Sequence, residues 1–417
     1  MSQLYDRVET VARPRSLFVF IASIGPGILV MLADTDAGNV VTAAQSGAQW
    51  GYRLLPLLLG LIPVLYMVQE LAVRLGIFTG RGYSELVRHH YGSLWAWVLA
   101  AGLVVAVAGS MTTEFAAVAG IGELYGVSRN LTLPMAASTL LIIVLSRSYR
   151  RVERMAIMIG SLEIAFLMVA VMTRPNVAAM VHQVRDLPLG NNDFWLLAAA
   201  LIGAVFNPWM VFYQQSAIAQ KQLDHTHYAA ARGDTAIGAV LTQLVSASVL
   251  FVAAATIRPD NAQGSLASVG EISKALIPHL GVTAGRLVFS LGVLGASIVA
   301  AIVCSLALAW ALGEAAGHRR TPETQLFHAP MFYGFYAACV LGGAAFVWAI
   351  PNLVWLTVWA QIVNAFLLPM VVIFLVVLAF SKLPHPQRLC GWYLGLVVIA
   401  VTLTCACGIF GAIHGLL

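Results

Sequence analysis

The feature that constrains this chain most is a series of long apolar runs. They fall near residues 17–46, 53–73, 93–122, 131–146, 155–173, 194–220, 234–257, 284–313, 330–350, 352–380 and 391–413. A spanning helix needs roughly 20 mainly apolar residues. Lipid offers no water to backbone N–H and C=O groups, so each crossing run must be helical. The eleven runs therefore predict an all-α membrane protein with eleven transmembrane helices. Composition agrees, with 60% hydrophobic and 10% charged residues, against about 45–50% and about 25% in ordinary soluble domains. Eighteen acids and 23 bases in 417 residues cannot cover a water-facing surface of that size. Soluble enzymes, nucleic-acid binders and disordered chains are excluded on that ground. The basic pI of about 9.0 then reports membrane orientation.

Orientation follows from where the bases lie. With the N-terminus cytoplasmic, 16 of the 23 bases fall in inner segments, among them Arg74, Arg81, Arg88, Arg151 and Arg154. This is the bias expected of cytoplasmic loops, and a miscount of one helix in mid-chain would scramble it. The expectation is a multi-pass plasma-membrane protein (inner membrane if the source is bacterial) with the N-terminus cytoplasmic and the C-terminus external. The polar N-terminal segment, mixed in charge, does not resemble a cleaved signal peptide. The chain divides into a cytoplasmic segment 1–16, helices 1–5 over 17–173, an external loop 174–193, helices 6–10 over 194–380, and a linker with helix 11 over 381–417. Five cysteines in or beside apolar runs, with no C-x-x-C pair, predict small buried hydrophobes and neither a disulfide framework nor a thiolate metal site.

Two runs are interrupted. Helix 1 carries Gly25-Pro26-Gly27 and then Asp34-Thr35-Asp36-Ala37-Gly38-Asn39 at mid-depth. Each charge at the bilayer centre costs at least about 2.5 kcal/mol. Helix 6 carries Gly203-Ala204-Val205-Phe206-Asn207-Pro208-Trp209 at similar depth. Pro removes a donor, so carbonyls there are free to turn toward a cavity. Helix 6 lies five spans after helix 1, an odd number, so the two enter from opposite sides. Paired interruptions in corresponding helices point to an inverted-repeat transporter with a midplane site. The plain alternative for each break is an ordinary Pro or Gly kink.

Asp36-Ala37-Gly38-Asn39 resembles the Asp-Pro-Gly-Asn motif of the NRAMP family of divalent-metal transporters. Ala48-Gln49-Trp50-Gly51-Tyr52, Leu75-Gly76-Ile77, Thr79-Gly80, Arg151-Val152-Glu153 and Gln361 ahead of Pro369 are similar to the family as well. The likeness covers essentially the whole chain, more strongly through residue 90 than beyond 220. It implies a LeuT-type 5+5 inverted repeat with discontinuous helices 1 and 6 and an eleventh helix outside it.

The departures bear on substrate. The family's Met-Pro-His in helix 6 is here Asn207-Pro208-Trp209. A thioether favours Mn2+, Fe2+ and softer ions, whereas an amide oxygen is hard. The resemblance then implies an all-oxygen metal set of Asp36, Asn39, the Ala204 carbonyl, Asn207 and Gln361, with Gly38, Pro208, Trp209 and Gln214 lining it. Such a set suits Mg2+, which dehydrates reluctantly and keeps waters, and it does not exclude Mn2+. The chemistry resembles the NRAMP-related magnesium transporters. The family's helix-3 Asp and Glu correspond to Glu114 and Ala117, and its two helix-6 histidines to Trp209 and Gln214. No histidine falls in mid-span, so a His relay is not expected. Glu114, Asp34 and Glu163 remain as proton-pathway or vestibule candidates. Glu163 reads equally as a buried hydrogen-bonded acid. Asp34, which a continuous helix places on another side from Asp36, reads as a vestibule residue or a cap.

The expected function is secondary transport of a divalent cation, Mg2+ or Mn2+ as substrate, with weak or no proton coupling. No cofactor, nucleic acid or obligate protein partner is expected beyond the lipid bilayer. One alternative is a proton-coupled Mn2+ or Fe2+ importer using Glu114. Another is a LeuT-type symporter of an amine or amino acid, with Phe206, Trp209 and Tyr213 as an aromatic wall. A sensor domain usually brings a soluble signalling region, and no nucleophile–base pair suggests an enzyme.

Overall fold

The computed structural model describes residues 25–145, 149–173, 177–256, 269–274, 281–318, 330–349 and 353–415. The expected N-terminal segment 1–16 and residues 350–352, where the ninth expected run ends and the tenth begins, lie outside the described residues. Every regular element described is helical. Nine helices are long and apolar enough to span among the described residues, and Arg129–Leu145 is a shorter apolar tenth. The eleventh crossing is a broken pair, α1 (Pro26–Asp34) and α2 (Ala37–Trp50).

The remaining elements in chain order are α3 (Leu55–Thr79), α4 (Tyr83–Tyr91), α5 (Ser93–Leu124), α6 (Arg129–Leu145), α7 (Tyr149–Gly160) and α8 (Ala165–Met172). Then come α9 (Val177–Arg185), α10 (Asn192–Val205), α11 (Pro208–Gln220), α12 (Tyr228–Thr256) and α13 (Val269–Lys274). The last are α14 (Val282–Ala316), α15 (Pro330–Ala349), α16 (Leu353–Ser381) and α17 (Gly391–His414). Where described, the expected runs match to within a few residues; residues 17–24 of the first run lie outside the described residues. Three short helices, α4, α9 and α13, occupy segments expected as loops. The expected fifth helix is interrupted by a 3-10 turn, Ser161–Ile164.

Both expected breaks are present, each for a local reason. Pro26 opens α1, and the run Asp34-Thr35-Asp36 ends it with Thr35 at ψ 41° and Asp36 extended at ψ 171°. Asp and Thr side chains compete with helix hydrogen bonds and favour caps, and the Asp36 side chain caps α2 by accepting from the Asn39 N–H. In the second break Pro208 sits at the first position of α11, where its missing N–H costs nothing. Its ring pushes Asn207 out of the helical region, to ψ 123°.

Packing repeats five spans apart. α1 and α2 lie on α12, and α10 and α11 lie on α3. The helix-5 segments pack on α14 as α16 packs on α5, while α5 pairs with α14 and α6 with α15. Exchanging each helix of the first five with its counterpart in the second five leaves this pattern unchanged, as an inverted repeat requires. α17 stands outside it, against α10 and α16. Glu70 and Arg74, four residues apart on α3, pair at 2.8 Å, and Tyr228 of α12 and Tyr393 of α17 also donate to Glu70.

Candidate metal site between the two breaks

The unwound segments face each other at the centre of the bundle. The Asn207 Nδ2 group lies 3.2 Å from Asp34 Oδ1, 3.4 Å from Asp36 Oδ2 and 3.1 Å from the Ala204 carbonyl oxygen. It has two hydrogens for three acceptors. Asp36 Oδ1 accepts the Asn39 N–H at 2.7 Å, and Asn39 Nδ2 donates to the Asp34 carbonyl at 3.1 Å. Gln361 is held in by the absence of a side chain at Gly38, whose Cβ would lie 1.9 Å from Gln361 Nε2. Asp34, Asp36, Asn39 and Gln361 are fully buried.

Two expectations change here. Asp34 was expected on another side of the helix from Asp36. The break at Thr35 removes helical periodicity, and both carboxylates reach the same amide. Asn207 was expected to offer its carbonyl oxygen to a cation. Its Oδ1 instead accepts from Asn364 Nδ2 at 2.7 Å, and its nitrogen faces the carboxylates. Asn364, buried on α16, was not singled out from sequence. It also donates to Gln361 Oε1 at 2.9 Å, leaving its own Oδ1 without a partner. Its only signal was a spacing of three residues from Gln361, which puts both on one helix face.

The other candidates fall around this centre. Glu114 on α5 accepts the Ala37 N–H at 3.3 Å and the Thr113 hydroxyl at 3.1 Å, joining helix 3 to the break. Glu163, fully buried on the 3-10 turn, faces Thr35, and neither of its oxygens makes a regular hydrogen bond. Trp209 does not reach the carboxylates, because its indole N–H donates to Ser110 at 3.2 Å. Tyr213 packs against Trp310 at 5.5 Å. Of the aromatic wall expected for an amine, Trp209 and Tyr213 thus have partners on other helices. Gln214 donates to Thr235 at 3.2 Å, toward the Gly25 end.

The centre is cut off from solvent, with close contacts on two sides among the described residues. On the Gly25 side Asp234 of α12 accepts the Gly27 N–H at 2.8 Å and the Gly25 N–H at 3.3 Å, capping α1 from the facing helix. Lys221 and Glu153 pair beside it at 2.6 Å. On the other side α10 touches α16, where a Cβ on Gly203 would lie 1.8 Å from the Gln361 carbonyl oxygen.

Among the described residues no ion pair reaches Asp34, Asp36, Glu114 or Glu163. Nor do three His, Cys, Asp or Glu side chains converge closely enough to hold a metal by themselves. A cation here would need amide and backbone oxygens beside the carboxylates. Buried carboxylates without a counter-charge are expensive in their ionised form, and a cation delivered between them supplies what the protein withholds.

Two broken helices packed together around a buried carboxylate–amide centre define a membrane transporter of LeuT-type fold. The Nramp family model, described as natural resistance-associated macrophage protein-like, matches residues 27–413. The chain therefore belongs to the NRAMP family of divalent-metal transporters, and it is not an enzyme. It is 28% identical over 316 residues to a divalent metal cation transporter MntH of Yersinia enterocolitica, covering 73% of this chain and 75% of that protein. The MntH of Pectobacterium carotovorum is likewise 28% identical, over 312 residues, covering 72% and 74%. The fold matches a manganese transporter of Eremococcus coleocola, solved with an aromatic bis-isothiourea compound, with a TM-score of 0.76 at 16% identity over 96% of this chain and 88% of that one. MhsT in complex with L-phenylalanine shares the fold at a TM-score of 0.60 and 13% identity, over 96% and 99%.

Proposed function

We propose that this chain moves a hard, partly hydrated divalent cation, Mg2+ ahead of Mn2+, with little or no proton coupling. One observation carries the reading. The Asn207 Nδ2 group stands where Asp34 Oδ1, Asp36 Oδ2 and the Ala204 carbonyl converge, in the helix-6 position where the family usually has methionine. A donor with more acceptors than hydrogens marks the place a cation would take. Reversing the Asn207 amide turns Oδ1 inward and presents its Nδ2 to Asn364, whose unpartnered Oδ1 accepts once that amide and the Gln361 amide reverse as well, the unpartnered Gln361 Nε2 then donating in place of the lost contact. The result is an oxygen set from Asp36, Asn207 and Ala204, with Asn39 and Gln361 at its edge and room for Asp34 to act through water. Carboxylates acting through retained waters suit Mg2+.

Transport then alternates release of the two seals. Asp234 letting go of Gly25 and Gly27 would open one side, and separation of Gly203 from Gln361 the other. We assign the Gly25 side to the cytoplasm of a plasma membrane, with the C-terminus external, and the two repeats to 17–173 and 194–380. The test is flux of Mg2+, Mn2+ and Ca2+ in proteoliposomes, with and without a pH gradient. Mg2+ uptake insensitive to the gradient is expected, and strict Mn2+ transport that excludes Mg2+ overturns the reading.

The relatives are named for manganese and divalent metals generally, and Glu114 touches the break at the Ala37 N–H. These favour the second reading, a proton-coupled Mn2+ or Fe2+ importer. It predicts internal acidification in step with metal uptake, lost in Glu114→Gln.

A further inference from the structure

Sulfur collects at a point outside the oxygen site. Met111 on α5, Cys304 and Ser305 on α14 and Cys339 on α15 come from three helices that supply none of the ligands named above. Cys304 Sγ lies 3.3 Å from Met111 Sδ. The Ser305 hydroxyl stands 3.5 Å from Met111 Sδ and 3.6 Å from Cys339 Sγ, so it bridges the thioether to the second thiol. Both thiols are free. Cys304 is fully buried, and Cys339 borders a cavity of about 730 Å³ between α5, α14, α15 and α16.

We propose that Met111, Cys304 and Cys339 form a second cation site, for a soft monovalent ion of the Cu+ class. Thiolate and thioether donors select soft ions and leave Mg2+ to oxygen. Charge selects the valence. One thiolate, one thiol and one thioether neutralise a monovalent cation after a single thiol proton leaves, whereas a divalent ion reaches neutrality only when both buried thiols ionise. Binding exchanges one thiol proton, released to water, for the metal–sulfur bond, and no electron moves.

Metal–sulfur bonds of about 2.3 Å hold sulfurs further apart than the 3.3 Å seen here, so loading spreads the cluster. Met111 is unbranched and can swing, and the cavity beside Cys339 gives the space. That cavity is lined almost wholly by apolar side chains, with Thr112 and Cys339 among the exceptions. Such an approach fits an ion arriving in a neutral thiol complex and not a hydrated one.

The experiment uses full-length protein in lipid nanodiscs under anaerobic conditions, with Cu+ titrated against a chromophoric Cu+ chelator. X-ray absorption of the loaded protein reports the ligand shell. One Cu+ per chain with a sulfur shell is expected, undisturbed by excess Mg2+. Cys304→Ser and Cys339→Ser should each weaken retention at least about tenfold. Met111→Leu, close in volume, gives a smaller loss and guards against misfolding of the cysteine variants. None of the three should change Mg2+ flux without copper. Cys390→Ser serves as the control for surface thiols, since Cys390 and Cys407 are exposed. Retention that falls in Cys390→Ser but survives Cys304→Ser overturns the proposal, as does a nitrogen or oxygen shell.

Discussion

Asp36→Asn removes a charge and little else. One carboxylate oxygen accepts the Asn39 N–H at 2.7 Å and the other accepts the Asn207 amide at 3.4 Å, so an amide at residue 36 keeps the first contact through its oxygen and turns its nitrogen to the second. Asn caps a helix about as well as Asp, and a cap is worth roughly 1 kcal/mol in total, so the break should survive at a cost of a few tenths. The Asn207 amide can reverse to accept from the new nitrogen without a steric change. A cation experiences a larger difference. Across a retained water, at about 4 Å, a pair of unit charges is worth about 4 kcal/mol at an effective dielectric of 20, so a divalent ion forfeits about 8 kcal/mol of attraction. Asp34 stays close enough to compensate in part, because both carboxylates meet the same amide. If only a third of the lost attraction persists, about 2.7 kcal/mol, occupancy falls about 100-fold. Initial Mg2+ and Mn2+ uptake in proteoliposomes, below saturation, should fall by that factor while the melting temperature moves by no more than about 2 °C. Flux within tenfold of the parent refutes Asp36 as a ligand. A collapsed melting temperature with residual flux refutes the capping argument.

Three further outcomes follow from the same geometry. Asn207→Met replaces a hard donor by a soft one and should move preference toward Mn2+ and Cd2+ in competition flux; unchanged selectivity argues that residue 207 does not touch the ion. Gly203→Ala places a methyl group 1.8 Å from the Gln361 carbonyl oxygen, a backbone atom that cannot step aside. The α10–α16 contact should part, abolishing transport and lowering the melting temperature by several degrees, whereas normal flux would mean that this approach is not needed. Asp234→Ala strips the α1 cap and leaves two backbone N–H groups unmatched, at about 1–3 kcal/mol each if they stay dry. A thiol reagent applied from the Gly25 side should then label Thr35→Cys faster, and an unchanged labelling rate would remove Asp234 from the gate.

How much could be read in advance differs from residue to residue. Pro208 and the Asp34-Thr35-Asp36 run announce their breaks, because a missing donor and competing side chains act within one turn. Asp36 as the residue to examine first also follows from the chain alone, since an acid at mid-depth is costly wherever the helix lies. The direction of Asp34 is not legible in the chain, because helical periodicity ends at the break that makes the site. Asn364 was missed because an amide in an apolar helix has no local signature. Its role depends on Asn207, which lies 157 residues away. Asp234 was passed over for the same reason, being 207 residues from the Gly27 N–H it receives.

By itself, then, the sequence determined the membrane class, the helix count, the places where two helices break and the family, because hydrocarbon forces helices and Pro and Asp act locally. Tertiary structure decided which atoms meet. It turned the Asn207 nitrogen, not its oxygen, toward the carboxylates and sealed the centre with Asp234 and Gln361. It also gathered Met111, Cys304 and Cys339 from three helices whose spacing carries no metal motif. The physical reason is that hydrogen-bond and ligand geometry is fixed over a few ångströms between helices, a distance that separation along the chain does not encode.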